Sequence, residues 1–377
     1  MTSAFVIAAR RTAVAPRGGA FAGIEAMELA AATIVAVLAD AGMAPDDVDE
    51  VILGNALYGG GNPARVAALR AGLPDAVPAV TIDSQCCAGL DAVLLAATRI
   101  KAGEADIVIA GGVESFSRAP LRLSRPKQAG EAPQAYDRPP FTPWPERDPD
   151  MIPAAAMLAA EWDIGRAAQE AFAVESHRKA LAHGAAAGEL VPMAGLARDD
   201  FTRRLDARLC ARLPLLAGSP GHGVTAATIA VEADAAAAVL VLSDRAMARC
   251  RPAGRPVAII GGTRHGGDPE RPGLAPIAAA ERTLRRAGVP AGAIVAAEIM
   301  EAFAVQAMAC IQGLGLDPDS VNRGGGALAR GHPIGASGAV LAVRLWHELQ
   351  AEPAEAHGIA AIAAAGGLGS ALLMRPT

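Results

Sequence analysis

Aromatic residues make up only 3% of the 377-residue chain, so its core cannot be built around stacked rings. It needs close-packed Ala, Val, Leu and Ile layers, which suits helices lying tightly on sheets. Charge of one sign is also scarce. The formal net charge is −5 with 19% charged residues, which gives no electrostatic reason to expect a nucleic-acid or anionic-membrane partner. No apolar run approaches the roughly 18 residues that span a bilayer; even 354–365 is broken by glutamate, histidine and glycine. The five cysteines (86, 87, 210, 250 and 310) are odd in number and show no CxxC spacing, so neither a disulfide framework nor a zinc ribbon is expected. The start, MTSAFVIAARRTAV, places its basic pair after a strand-like run, the reverse of a secretory signal. A cytoplasmic protein without a membrane anchor is the expectation.

What the chain has in quantity is small and aliphatic residues, 52% hydrophobic in all, enough to exclude disorder and to fill two roughly equal units. The units repeat. LADAGMAPDDVDEVILGNA (38–56) is echoed by LRRAGVPAGAIVAAEIMEA (284–302), with Gly42 and Gly288 in matching places. GLDAVLLAATRI (89–100) is echoed by ASGAVLAVRLW (336–346), and IVIAGGVES (107–115) by AIAAAGGLGS (361–370). Three echoes in one order argue for a duplicated α/β unit. Each unit reads strand (4–9; 256–261), helix (25–41; 275–287), strand (50–55; 295–300), helix, strand–turn–helix, strand (106–110; 359–364). Between them, 121–150 holds seven prolines and reads as irregular; 154–187 has helical periodicity; and ADAAAAVLVLS (233–243) reads as a helix turning into a strand. The expected division is 1–118 with 231–250 as the first half, 119–230 as an insertion, and 251–377 as the second half.

In TIDSQCCAGLDAVLLAATRI a strand runs into a helix with two cysteines at the turn. A cysteine is most often a small buried hydrophobe, but a thiol at a helix N-terminus sits in the positive end of the dipole, which favours a thiolate nucleophile. Cys86 or Cys87 is therefore a candidate. Counting back six residues from Ala92 reaches Cys86; the same count from Ala339, give or take one, reaches Pro333 or His332 in RGHPIGASG. If a pseudo-twofold axis relates the units, the two turns face one crevice and pair a thiol with an imidazole, the constellation of nucleophilic catalysis. The Gly-rich segments lack the GK[ST] ending of a phosphate loop, and AAAGGLG (363–369) could supply an oxyanion donor. The remaining histidines (177, 183, 222, 265, 347, 357) form no ligand spacing, so no metal is expected.

These residues resemble the thiolases, acyl-CoA acetyltransferases of the thiolase superfamily. The likeness runs through GGGNPARVAALRAG (59–72), SQCCAGL (84–90), IAGGVESFSRAP (109–120), EAFAVQ (301–306), VNRGGGALARGHPIGASGA (321–339) and GGLGSA (366–371). It implies an α/β, thiolase-like five-layered αβαβα duplicated fold with an inserted loop domain over the substrate, and assembly as a homodimer or homotetramer. It further implies that Cys86 is the acylated nucleophile, that His332 activates it, and that the backbone N–H groups of Cys86 and Ala365 form an oxyanion hole. Met151, Met300, Ala302 and Phe303 would contact substrate. No cofactor is implied, because coenzyme A enters as the acyl-CoA substrate.

The chain departs from the family at defined places. Ala363 stands where the second cysteine, the acid/base for the α-proton, is expected, and a methyl group cannot move a proton. Met300 replaces the asparagine that orients an oxyanion-hole water. Asp150 and Ala230 replace a histidine and a serine toward coenzyme A. Three readings stand: an acyltransferase that forms an acyl-cysteine and passes it to a second acceptor, as in acetyl-CoA acetyltransferase; one that uses a non-CoA acceptor or water; and a non-catalytic thiolase-fold subunit or acyl-thioester binder.

Overall fold

The computed structural model describes residues 2–250 and 254–377. Its first half contributes β1 (Ala4–Thr12), α1 (Ala26–Ala41), β2 (Glu50–Gly54), α2 (Pro63–Arg70), β3 (Ala79–Ile82), α3 (Ala88–Ala102) and β4 (Ile107–Glu114). An excursion containing α4 (Met151–Glu161) and α5 (Arg166–Ala182) follows, after which β5 (Ala233–Ser243) returns between β1 and β4. The second half holds β6 (Val257–Gly266), α6 (Ala275–Ala287), β7 (Ile294–Ile299), α7 (Ala304–Leu314), α8 (Ile334–Leu349), β8 (His357–Ala364) and β9 (Leu368–Pro376). The expected start of this half at residue 251 lies outside the described residues. The glycines that matched in the sequence do the same work: Gly42 at φ 61° ends α1 and Gly288 at φ 68° ends α6, the left-handed conformation glycine adopts without a Cβ penalty.

The strands follow one path, β7-β8-β9-β6-β1-β5-β4-β2-β3. Along this path the strands of the two halves meet where Phe5 and Val6 pair with Ala258 and Val257. Alternation decides the layers. Along β5, Ala237, Val239 and Val241 face a core shared with α3 and α8, while Ala236, Ala238, Leu240 and Leu242 face α1 and α2. Along β8, Ala360 and Ile362 join the central core and Ile359 and Ala361 pack with α6 and α7. The result is the αβαβα stack, with α3 and α8 as its middle layer. Among the described residues no helix is long and apolar enough to cross a membrane.

The strand expected in front of α8 is absent among the described residues, where only isolated bridges at Val321 and His332 occur, and the alanine run also differs from expectation. Residues 233–243 are strand throughout, not helix then strand. The alanine run has helical propensity, but it lies between β1 and β4 with every residue buried, and ladder bonds to both neighbours override a weak local preference. Strand β9, which the sequence did not announce, completes the second half as β5 completes the first.

Small residues bring the middle layer close. A Cβ at Gly89 would stand 2.6 Å from the Ala339 nitrogen, and one at Gly112 would overlap the carbonyl oxygen of Gly335. The Gly112→Ala variant is therefore expected to lose about 1–3 kcal/mol through overpacking against the first turn of α8. A lowered urea midpoint checks this; an unchanged midpoint would count against the close approach.

Candidate active site

The turn after β3 carries Cys86 and the loop before α8 carries His332. Local bonds hold the first: the Ser84 hydroxyl donates to Asp91 (2.7 Å), and the Gln85 N–H donates to Asp83 (2.8 Å), with Gln85 at a positive φ of 56°. Cys87 points inward and is buried, beside the carbonyl of Ile362. His332 follows Gly331 at φ 114°, and its backbone N–H donates to Val231 at 2.7 Å. The turn in front of α3 and the loop in front of α8 meet, and Cys86 Sγ lies 3.2 Å from His332 Nε2.

Hydrogen bonding assigns the proton. The Ser337 hydroxyl donates to the Pro333 carbonyl (3.0 Å), so its oxygen accepts from His332 Nδ1 at 2.7 Å. Nδ1 then carries the hydrogen and Nε2 presents its lone pair to the thiol. Burial pushes the thiol of Cys86 up to about 12, reinforced by the carboxylates of Glu114 and Asp83 and opposed by its own backbone N–H. Burial also pulls His332 down to about 4. The thiolate expected from the helix dipole is therefore not the resting form. Desolvation of a buried charge outweighs a partial dipole charge, and the resting pair is a neutral thiol donating to a neutral imidazole.

A cavity of about 890 Å³ opens over the pair. Its lining includes Cys86, His332, Met151, Ala302, Phe303 and Ala365 among the residues expected to meet substrate, and also Ala363, Asp150 and Ala230. Met300 is the exception. It follows the last residue of β7, is 1% exposed and packs in the central core, so it contacts no cavity ligand. Asp150 stands 3.5 Å from Arg138, which tempers its charge.

Sequence reasoning passed over Glu114. This buried carboxylate accepts from the N–H groups of Ala56 (3.0 Å), Leu57 (3.3 Å) and Gly335 (2.9 Å) and from the Asn55 amide (2.9 Å). It ties the β2 loop of the first half to the first turn of α8. Burial raises it to about 7. The available signal was a carboxylate ending an otherwise apolar strand, IVIAGGVE. Among the described residues no group of three or more His, Cys, Asp or Glu side chains is placed to hold a metal.

Comparison with known proteins places these features. The model of the thiolase N-terminal domain matches residues 4–245, and that of the thiolase C-terminal domain matches 255–376. An acetyl-CoA acetyltransferase of Cupriavidus necator is 40% identical, with 99% of each chain covered, and a putative acetyl-CoA C-acetyltransferase of Bacillus subtilis is 41% identical over 87% of each. The crystal structure of human mitochondrial 3-ketoacyl-CoA thiolase superposes with a TM-score of 0.91 at 29% identity, covering 100% of this chain and 99% of the other. The same enzyme in complex with CoA gives 0.90 at 28%, covering 100% and 98%.

Proposed function

The chain belongs to the thiolase family of acyltransferases, and on that premise we propose that Cys86 takes an acyl group from an acyl-CoA, with His332 as its base, and passes it to a second acceptor. The observation that carries the reading is the 3.2 Å thiol–imidazole contact with the lone pair of Nε2 facing sulfur. As Cys86 Sγ attacks the thioester carbon, its proton moves to Nε2. The new S–C bond forms and the oxygen takes the electron pair, stabilised by the backbone N–H groups of Cys86 and Ala365. Collapse breaks the bond to the coenzyme sulfur, which leaves as the thiol with the proton from Nε2. The thioester supplies its own leaving group, so no cofactor or metal enters this half-reaction.

Deacylation reverses these roles, His332 accepting a proton from the acceptor. For acetyl-CoA as acceptor the α-carbon must lose a proton, and Ala363, which lines the cavity, offers only a methyl group where the family resemblance calls for an acid/base. That observation favours, as the second reading, an acceptor with an ionisable heteroatom, or water. A homodimer or homotetramer accompanies the proposal, with the outermost strand β3 offering an unpaired edge for a second copy.

Intact-mass spectrometry after incubation with acetyl-CoA and longer acyl-CoAs tests the first half-reaction. The expected result is one acyl adduct that is absent from Cys86→Ala. No adduct with any donor would sink the acyl-CoA reading and leave a different acyl carrier or the non-catalytic fold as the better account.

A further inference from the structure

The cavity over Cys86 is lined by the carboxylates of Asp83, Asp137, Asp150, Glu161, Glu232 and Glu270. Most are committed to arginines. Asp150 stands 3.5 Å from Arg138, Glu161 2.9 Å from Arg271, Glu232 2.8 Å from Arg17 and Glu270 3.1 Å from Arg147. Asp83 is different. It makes one hydrogen bond, Oδ1 accepting from the Gln85 N–H at 2.8 Å, and no ion pair among the described residues. Asp137 also stands outside these pairs, but its charge is felt at Arg17, whereas that of Asp83 is felt at Cys86, whose thiol it helps to raise. Glu114 acts on the thiol too, yet its oxygens are already filled by the N–H groups of Ala56, Leu57 and Gly335 and by the Asn55 amide.

Asp83 follows β3 directly and precedes Cys86 on the same turn. Because Oδ1 is 2.8 Å from the Gln85 nitrogen, covalent geometry places that oxygen within about 7 Å of the Cys86 nitrogen. The other oxygen has no partner among the described residues, and Asp83 is exposed where Cys86 is only partly so. An unpaired carboxylate that meets solvent in the cavity of a thioester is placed to act as a general base on water. Resting on the acyl-CoA reading above, we infer that the protein is also a thioester hydrolase, in which Asp83 is the base that delivers water to acyl-Cys86 and the acyl-CoA ends as a free carboxylic acid. Asp83 takes a proton from water as the water oxygen bonds to the acyl carbon, and the carbonyl electron pair moves onto oxygen. When that pair returns, the C–S bond breaks. The sulfur leaves with the proton from Asp83, and the acyl group departs as its acid. His332, facing the sulfur at 3.2 Å, keeps the loading step and its reversal onto the coenzyme thiol. The methyl of Ala363 is no obstacle here, because attack by water removes no α-proton.

The test loads Cys86 from acetyl-CoA, removes free coenzyme, and follows the adduct by intact-mass spectrometry in buffer alone and with coenzyme A added back. In the native protein the adduct is expected to decay in buffer, with release of acetate, faster than the same adduct in protein unfolded by urea. Asp83→Asn keeps the Oδ1 acceptor of the turn and loses the base. It is expected to lower the ratio of hydrolysis to return onto coenzyme A on the order of 10²- to 10⁴-fold, the usual contribution of a general base. An adduct as long-lived in the native protein as in the unfolded one would overturn this inference and leave the acyltransferase reading intact. An unchanged ratio in Asp83→Asn would also overturn it, removing Asp83 from the deacylation step. Absence of every adduct, in the native protein and in Asp83→Asn alike, would instead strike the acyl-CoA reading itself.

Discussion

Replacing His332 with alanine is expected to slow acylation of Cys86 on the order of 10²- to 10⁴-fold, the usual contribution of a positioned general base, and to change the pH profile as well as the rate. In the native protein the thiol is pushed up to about 12 and the imidazole pulled down to about 4. Between those limits neither group changes charge. The imidazole loses its lone pair only as pH falls through its lowered pKa, and the thiol ionises by itself only near the top of the range. The single-turnover acylation rate should therefore show no rise near pH 6.5 of the kind an ordinary histidine gives; the neighbouring group raised into the neutral region is Glu114, whose ionisation raises the thiol further and so could only lower the rate there. Without His332 the proton must leave to solvent base, so the rate should climb about tenfold per pH unit. Rapid-quench mass spectrometry over a pH series measures both. A variant that keeps the native rate, or keeps the native profile, would remove His332 from the mechanism.

Ala363→Cys is expected to create or strongly raise carbon–carbon chemistry, measured as cleavage of acetoacetyl-CoA by CoA or as its formation from acetyl-CoA. Residue 363 lies near the end of β8, where alternation turns Ile362 into the central core and leaves Ala363 lining the cavity that also holds Cys86 and His332. A thiol there adds a group able to remove or return the α-proton, and a base at that point is worth on the order of 10²- to 10⁴-fold. The small side chain it replaces leaves the strand register undisturbed. If the native protein already turns over acetoacetyl-CoA at a rate that Ala363→Cys does not improve, then another group moves that proton and the argument from the methyl fails.

Much of this molecule is written locally. The collinear echoes announce a duplicated α/β unit, and Gly42 and Gly288 end equivalent helices because only a residue without a Cβ takes that conformation freely. The same duplication pairs Cys86 with His332, residues 246 apart that meet at 3.2 Å. Repeats, caps and spacing are properties of the chain itself, and so they can be read from it. Protonation and partnership are not. The dipole argument for a thiolate at Cys86 was sound for an exposed turn, and burial reversed it. Met300 occupies a motif position but turns into the core, the alanine run 233–238 became strand between two ladders, and Glu114 gathers donors from both halves. Each of these depends on what distant segments place within a few ångströms, where dielectric and hydrogen-bond partners decide charge and orientation, and only the tertiary structure supplies that.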